Sequence, residues 1–271
     1  MVVSDKLFAG SIPEIYDRLM VPLIFEAYAR DLAGRLAQTT PRDVLETAAG
    51  TGVLTRAMAS ILAANARIVA TDLNQPMLDR AAARQSGDGR IEWRQADALA
   101  LPFADQGFDA VACQFGAMFF PDKVLAFKEA RRVLRPGGRF LFNVWGPISD
   151  NEFADTVTEA LAVLFPHDPP RFMARTPHGY NDVQRIKQEL DAAGLTVVSV
   201  DTVEHRSKAA SPREPAIAYC QGTPLRNEIE AREASGLETA TRQATEALAR
   251  RFGAGAIEGR IQALVITASR A

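Results

Sequence analysis

The chain is poor in the residues that build metal centres and cross-links: it has two cysteines, Cys113 and Cys220, and three histidines in 271 residues. Two cysteines so far apart suit neither a zinc cluster nor a disulfide framework, so no metal is expected and a reduced compartment fits. An excess of one charge is also missing. Lys plus Arg is 31 against 33 for Asp plus Glu, and a net charge of -2 gives no general attraction to nucleic acid or to an anionic membrane. No run of 18 or more apolar residues is present to span a bilayer. At the N-terminus, Asp5, Lys6 and Glu14 interrupt the apolar core that a secretory signal would need. The expectation is a cytoplasmic chain with neither nucleic acid nor membrane insertion among its partnerships.

What is present is an ordinary globular composition, 47% hydrophobic and 24% charged, long enough for one or two domains. Apolar runs alternate with stretches of helical period, which predicts βαβ units and a mostly parallel sheet of the α/β class. Strands are expected over 43–47, 68–71, 91–95, 108–113, 139–145, 195–200 and 260–269. Arg135-Pro136-Gly137-Gly138 predicts a turn with a glycine at positive φ. Prolines 147, 166, 169, 170 and 177 mark a first excursion from the sheet, and a charged helical stretch over 207–256 marks a second. With no internal repeat or low-complexity linker, both excursions read as insertions over one sheet.

Doubly wound sheets bind ligands beyond the carboxyl ends of their strands, so the informative residues stand just after each strand. After the first comes Glu46-Thr47-Ala48-Ala49-Gly50-Thr51-Gly52, small enough for a tight turn and a close backbone approach. Such turns also serve phosphates and dinucleotides, or merely turn the chain. Asp72 ends the second strand, 20 residues after Gly52, where a carboxylate either accepts from both hydroxyls of a ribose or caps the next helix, a task for which Asn74 is also available. Asp97-Ala98 follows the third strand as an adenine contact or an ordinary turn, and Gln114 ends the fourth as a holder of an amino acid moiety or a solvated strand end.

Taken in order, these positions resemble the motifs of class I S-adenosylmethionine-dependent methyltransferases over roughly residues 40 to 146. The stretches ETAAGTG, ATDLNQPML, QADALALPFADQGFDAV and EARRVLRPGGRF are most similar to the small-molecule branch that includes ubiquinone and menaquinone biosynthesis C-methyltransferases. The resemblance implies a Rossmann-like seven-stranded, mostly parallel sheet with helices on both faces, an antiparallel last strand and helical cap insertions. It implies S-adenosyl-L-methionine as cofactor and S-adenosyl-L-homocysteine as product. Gly50 and its neighbours would lie under the methionine part, Asp72 on the ribose, Leu73 and Met77 beside adenine, and Asp97-Ala98 at the adenine edge. Ala48 stands where the family usually has its first motif glycine, which is tolerable provided its φ is negative.

The organisation expected is one methyltransferase domain over 1–271. It comprises an N-terminal helical lid (1–38), a cofactor core (40–146), cap insertions (147–180 and 207–256) and final sheet elements (181–206 and 257–271). Tyr16 is expected as a lid over the cofactor, and Phe115, Phe119 and Phe120 either shape the methyl end or belong to the core. His167, His178 and His205 are candidate bases or structural residues, so no catalytic residue is assigned. Arg171, Arg175 and Arg213 either steer an acidic acceptor or are solvated. The expected reaction is in-line methyl transfer to an oxygen or carbon of a small-molecule acceptor, achieved mainly by positioning. The alternatives are a non-catalytic or modified-S-adenosylmethionine-binding protein and a nicotinamide-dependent oxidoreductase. The last is disfavoured because Ala48-Ala49-Gly50-Thr51-Gly52-Val53 does not supply G-x-G-x-x-G.

Overall fold

A computed structural model describes residues 12–85 and 87–271. Of the expected lid over 1–38, residues 1–11, with Asp5 and Lys6, lie outside the described residues. By internal contacts the chain divides into two compact units. Of the described residues, one holds those of 26–144, 181–203 and 264–271, and the other holds 12–25, 145–180 and 204–263.

The strands are β1 (Asp43–Glu46), β2 (Arg67–Asp72), β3 (Ile91–Gln95), β4 (Phe108–Gln114), β5 (Leu134–Trp145), β6 (Thr196–Ala209) and β7 (Ile257–Ser269). They form one sheet in the order β3-β2-β1-β4-β5-β7-β6. β1 runs parallel to β2 and β4, β2 to β3, and β4 to β5. The chain returns antiparallel in β7, where Gly137 N–H donates to Arg270 O at 2.9 Å and Arg270 N–H to Gly138 O at 3.0 Å.

Alternation along the strands sends successive side chains to opposite faces of the sheet. Leu141 joins a cluster with Val44, Ile68, Leu32 and Leu36 of the helix Glu26–Ala37, and Leu54 and Met58 of the helix Val53–Ile61. Its neighbours Phe140 and Phe142 meet Phe127 of the helix Lys123–Val133 at ring distances of 5.6 and 5.4 Å. Helices therefore cover both faces, and each buried aliphatic side chain contributes roughly 1.5–3 kcal/mol.

The boundaries of the last three strands differ most from expectation, β7 beginning at Ile257, three residues before the expected 260. β5 begins at Leu134, before the expected turn, because pairing with β4 resumes beyond it: Phe108 pairs Leu134 and Ala110 pairs Arg139. The residues between bulge out, with Gly137 at φ 76 as that sequence requires. β6 runs on to Ala209, well past Val200, at the sheet edge, where alternate polar residues are tolerated.

In the other unit, the helix Leu237–Phe252 packs on the helices Glu152–Leu164 and Arg213–Gln221, with Ala240, Ala244 and Leu248 buried. Phe153 meets Phe252 edge-on at 5.1 Å. The segment Tyr16–Phe25 is π-helical with Pro22 inside it, where a missing N–H removes an ordinary helical hydrogen bond. Ser207 Oγ donates to Leu23 O at 2.5 Å. No helix among the described residues is long and apolar enough to cross a membrane, and no cluster of metal-ligating side chains occurs among them.

Candidate functional site

Strand order reverses between β1 and β4, so the crevice at this kind of sheet's switch point is bounded by the loops that follow these two strands. After β1 the backbone turns through three left-handed residues, Ala48 at φ 54, Gly50 at φ 56 and Gly52 at φ 77. The proviso of a negative φ at Ala48 is therefore overturned. An L-residue held there costs roughly 1–2 kcal/mol, and the loop is held by its neighbours: Thr47 N–H donates to Ala112 O and Ala49 N–H to Thr71 O, both at 2.9 Å. Gly52 also has no room for a side chain, since a Cβ there would lie 2.8 Å from the Trp93 ring. It precedes the helix Val53–Ile61, whose first turn has no side-chain cap.

Asp72 ends β2 beside this loop and is 7% exposed. One carboxylate oxygen accepts from Gly50 N–H at 2.8 Å, and the other from Asn74 N–H at 2.8 Å and Asn74 Nδ2 at 3.3 Å. Asn74 occupies the N-cap position of the helix Gln75–Arg84 without a side-chain capping bond; its amide is spent on Asp72 instead. The carboxylate thus ties the glycine loop to the next helix. Having about four acceptor positions, it keeps capacity for hydroxyl donors. Next to it Leu73 is 45% exposed, and Met77, 3% exposed, places its Cε 3.6 Å from where a Cβ on Gly50 would stand.

The second wall follows β4. Gln114 is 8% exposed, which removes the reading of a solvated strand end. Phe115, at φ 50, is held in the left-handed region by its N–H, which donates to Asn143 O at 3.2 Å and Asn143 Oδ1 at 2.9 Å. Its ring meets Tyr28 edge-on at 5.3 Å. Gly116 follows, and a Cβ on it would overlap the Ala48 Cβ, so the two loops touch at the switch point. Among the described residues, Thr51 Oγ1 and Asn143 Nδ2 are buried without hydrogen-bond partners. Leaving such groups unpaired costs roughly 1–3 kcal/mol each.

Glu46 was part of the motif read in the sequence but carried no assigned role. It is 1% exposed and accepts from Thr55 Oγ1 at 2.5 Å, and burial pushes its carboxyl up to about 8. Burial also raises Asp72, against the pull of its Asn74 and Gly50 hydrogen bonds. Asn143 was missed as well. Its signal was a lone amide in the otherwise apolar end of β5, Phe140-Leu141-Phe142-Asn143-Val144-Trp145.

Of the other predicted residues, Asp97 and Ala98 follow β3, which pairs with β2 through Asp72 and Gln95. One Asp97 oxygen accepts from Leu99 N–H at 2.9 Å, an ordinary turn bond. Tyr16 opens the π-helical segment and meets Phe25 at 5.1 Å. Of the three histidines, His178 is buried; its Nδ1 lies 2.9 Å from Gly146 O, and burial lowers it to about 4, so it is neutral near pH 7 with Nδ1 donating. Arg175 pairs with Glu228 at 2.7 Å, Arg213 with Glu238 at 3.1 Å, and Arg171 N–H donates to Glu228 at 2.8 Å.

These observations fit an adenosyl ligand with an amino acid tail. A glycine loop admits close backbone approach, a strand-end carboxylate retains acceptor capacity, and an exposed leucine stands beside it. Two buried polar atoms also lie unpaired at the same strand ends.

A protein-family profile described as a methyltransferase domain matches residues 45–142. A demethylmenaquinone methyltransferase of Deinococcus radiodurans is 32% identical over 175 residues, covering 63% of this chain and 70% of that protein. A ubiquinone/menaquinone biosynthesis C-methyltransferase, UbiE, of Hahella chejuensis is 35% identical over 164 residues, covering 56% of this chain. The match spans 66% of the Hahella protein's own length. For a Clavibacter sepedonicus demethylmenaquinone methyltransferase that share is 39%. Among solved structures, phosphoethanolamine N-methyltransferase 2 of Haemonchus contortus, in complex with S-adenosyl-L-methionine, has a TM-score of 0.61 at 15% identity, covering 100% of this chain and 60% of that one. At that identity the likeness shows the fold.

Proposed function

Because the chain belongs to the class I S-adenosylmethionine-dependent methyltransferases, we propose that it moves a methyl group from S-adenosyl-L-methionine to an oxygen or carbon atom of a small molecule, with S-adenosyl-L-homocysteine as the second product. The observation that carries this reading is Asp72, buried at the end of β2 and bonded to the backbone of the glycine loop at Gly50. When bound, the cofactor supplies a methyl group already activated on a sulfonium.

The chain's own residues then have to bind and align. Asp72 accepts the ribose hydroxyls, Gly50 and Ala48 let the backbone lie against the methionine part, and Gln114 with Phe115 bounds the methyl end. Leu73 and Met77 flank adenine, and Asp97-Ala98 meets its edge. Alignment of two reactants is worth roughly 7–11 kcal/mol, so no nucleophilic triad is required. The acceptor is selected by residues 147–180 and 207–256. The relatives' names point to a quinone precursor as the first acceptor class to try.

Thermal unfolding with S-adenosylmethionine, S-adenosylhomocysteine and NAD tests the cofactor. A ligand at about 100 times its Kd adds roughly 2.7 kcal/mol, which for this size raises Tm by about 5–10 °C. The two adenosyl ligands are expected to give that shift and NAD none. A shift with NAD alone would replace this reading by the oxidoreductase one.

A further inference from the structure

Two carboxylates flank the glycine loop, and they are held differently. Asp72 accepts hydrogen bonds from Gly50 N–H, Asn74 N–H and the Asn74 amide, and Leu73 N–H also favours its charged form. Glu46 accepts one, from the Thr55 hydroxyl. Each such bond stabilises the ionised form, so of the two it is Glu46, buried with a single donor, that more readily holds a proton.

The charged and titratable groups that act on Glu46 come from the helix Val53–Ile61, β2 and β4. Arg56, on the helix Val53–Ile61, favours ionisation, and its guanidinium is itself bonded to Thr51 O of the loop at 2.7 Å. Asp72 on β2 opposes ionisation. Cys113 on β4 is a thiol pushed up to about 12 by burial, so it carries no charge near neutrality. Glu46 is 1% exposed and stands directly before the Thr47–Gly52 loop. It is a buried acid whose ionisation awaits one added positive charge.

Resting on the cofactor assignment proposed above, we infer that Glu46 reads the charge of the ligand on the glycine loop: it stays protonated with the loop empty or holding a thioether, releases its proton to solvent when a sulfonium is seated, and so favours the methyl donor over its demethylated product. Proton and charge balance, since one positive charge enters the site as one proton leaves Glu46. After transfer the sulfur is neutral, Glu46 takes a proton back, and the product loses that attraction.

Isothermal titration of the full chain at pH 6.5 to 8.5, in two buffers of different ionisation enthalpy, reads this without turnover. Wild type is expected to release up to one proton on binding S-adenosylmethionine, and its Kd to fall about tenfold for each unit by which the sulfonium lowers the Glu46 pKa. S-adenosylhomocysteine should change less than about twofold once Glu46→Gln is subtracted, because titration of the ligand's own amine is common to both proteins. Glu46→Gln keeps an oxygen for Thr55 and is expected to abolish the linked proton. Thr55→Val keeps the carboxyl but removes its donor, and is expected to move the transition to higher pH. Equal proton counts and equal pH dependence in wild type and Glu46→Gln, or no displacement by Thr55→Val, would overturn the inference while leaving the cofactor assignment intact. Failure of wild type to bind either ligand would overturn both.

Discussion

Gly116 after β4 and Ala48 after β1 are in mutual contact, closely enough that a methyl group on the first would occupy the place of the methyl group on the second. Gly116 has φ -100, so its need for glycine is steric and not conformational. Gly116→Ala is expected to destabilise by about 1–3 kcal/mol, the cost of overpacking. Ala48→Gly alone should be nearly neutral, because relief at φ 54 offsets the extra freedom of the unfolded chain. In the double variant the overlap with Ala48 is gone while the approach to Cys113 Sγ at 2.8 Å remains, so a coupling of roughly 0.5–3 kcal/mol should return part of the loss. Denaturant titration of all four proteins measures it; additive effects would mean that the loops do not touch.

Asp72→Asn tests the carboxylate that ties loop to helix. An amide has only one acceptor oxygen, so its NH2 must face either Gly50 N–H or Asn74 N–H, which are both donors. Bonds to a charged group are worth about 1.5–3 kcal/mol, so Kd for S-adenosylmethionine should rise about ten- to a hundredfold. Calorimetric titration showing unchanged affinity would remove Asp72 from the site.

Gly52→Ala combines a left-handed φ of 77 with a Cβ 2.8 Å from Trp93. The conformational cost alone is roughly 1–2 kcal/mol. A fall in Tm of at least a few degrees is expected by differential scanning calorimetry. A Tm equal to wild type would mean that the loop relaxes freely.

How much of this was legible in the sequence depends on what each feature is made of. β1, β2 and β4 were readable to within about a residue because their runs are largely apolar and end at Glu46, Asp72 and Gln114, and β3 because Ile91 and Trp93 alternate with polar residues. The positive φ of Gly137 followed from the Pro-Gly-Gly chemistry, but the continuation of pairing from Leu134 to Arg139 across it did not, since a bulge leaves no compositional mark. β6 past Val200 was hidden by its edge position, where exposed Glu204, Arg206 and Lys208 alternate with half-buried or buried residues and Arg206 and Lys208 pair with Glu258. The left-handed turn of Ala48 is invisible in a residue that rarely adopts it. The protonation of Glu46 depends on desolvation, which only the packed structure supplies.

Two buried groups make stability depend on pH with opposite signs. Burial pushes Glu46 up to about 8 in the folded chain from an ordinary 4.5, so its contribution is fully present below about 4.5 and is lost as pH rises towards 8, at up to about 1.4 kcal/mol per unit. His178 is lowered to about 4 from 6.5, so its contribution is present above 6.5 and is lost as pH falls towards 4. Between about 4.5 and 6.5 the two slopes oppose each other. Glu46 belongs to the unit of residues 26–144 and His178 to that of 145–180, and hydrogen exchange reports the two regions separately. Protection around β1 should weaken from pH 6 to 8 in wild type and stay level in Glu46→Gln. Around His178 it should weaken from pH 6.5 to 4.5 in wild type and less in His178→Gln, whose amide can still donate to Gly146 O. Identical slopes in variant and parent at either place would show that the buried group there titrates as it does in the unfolded chain.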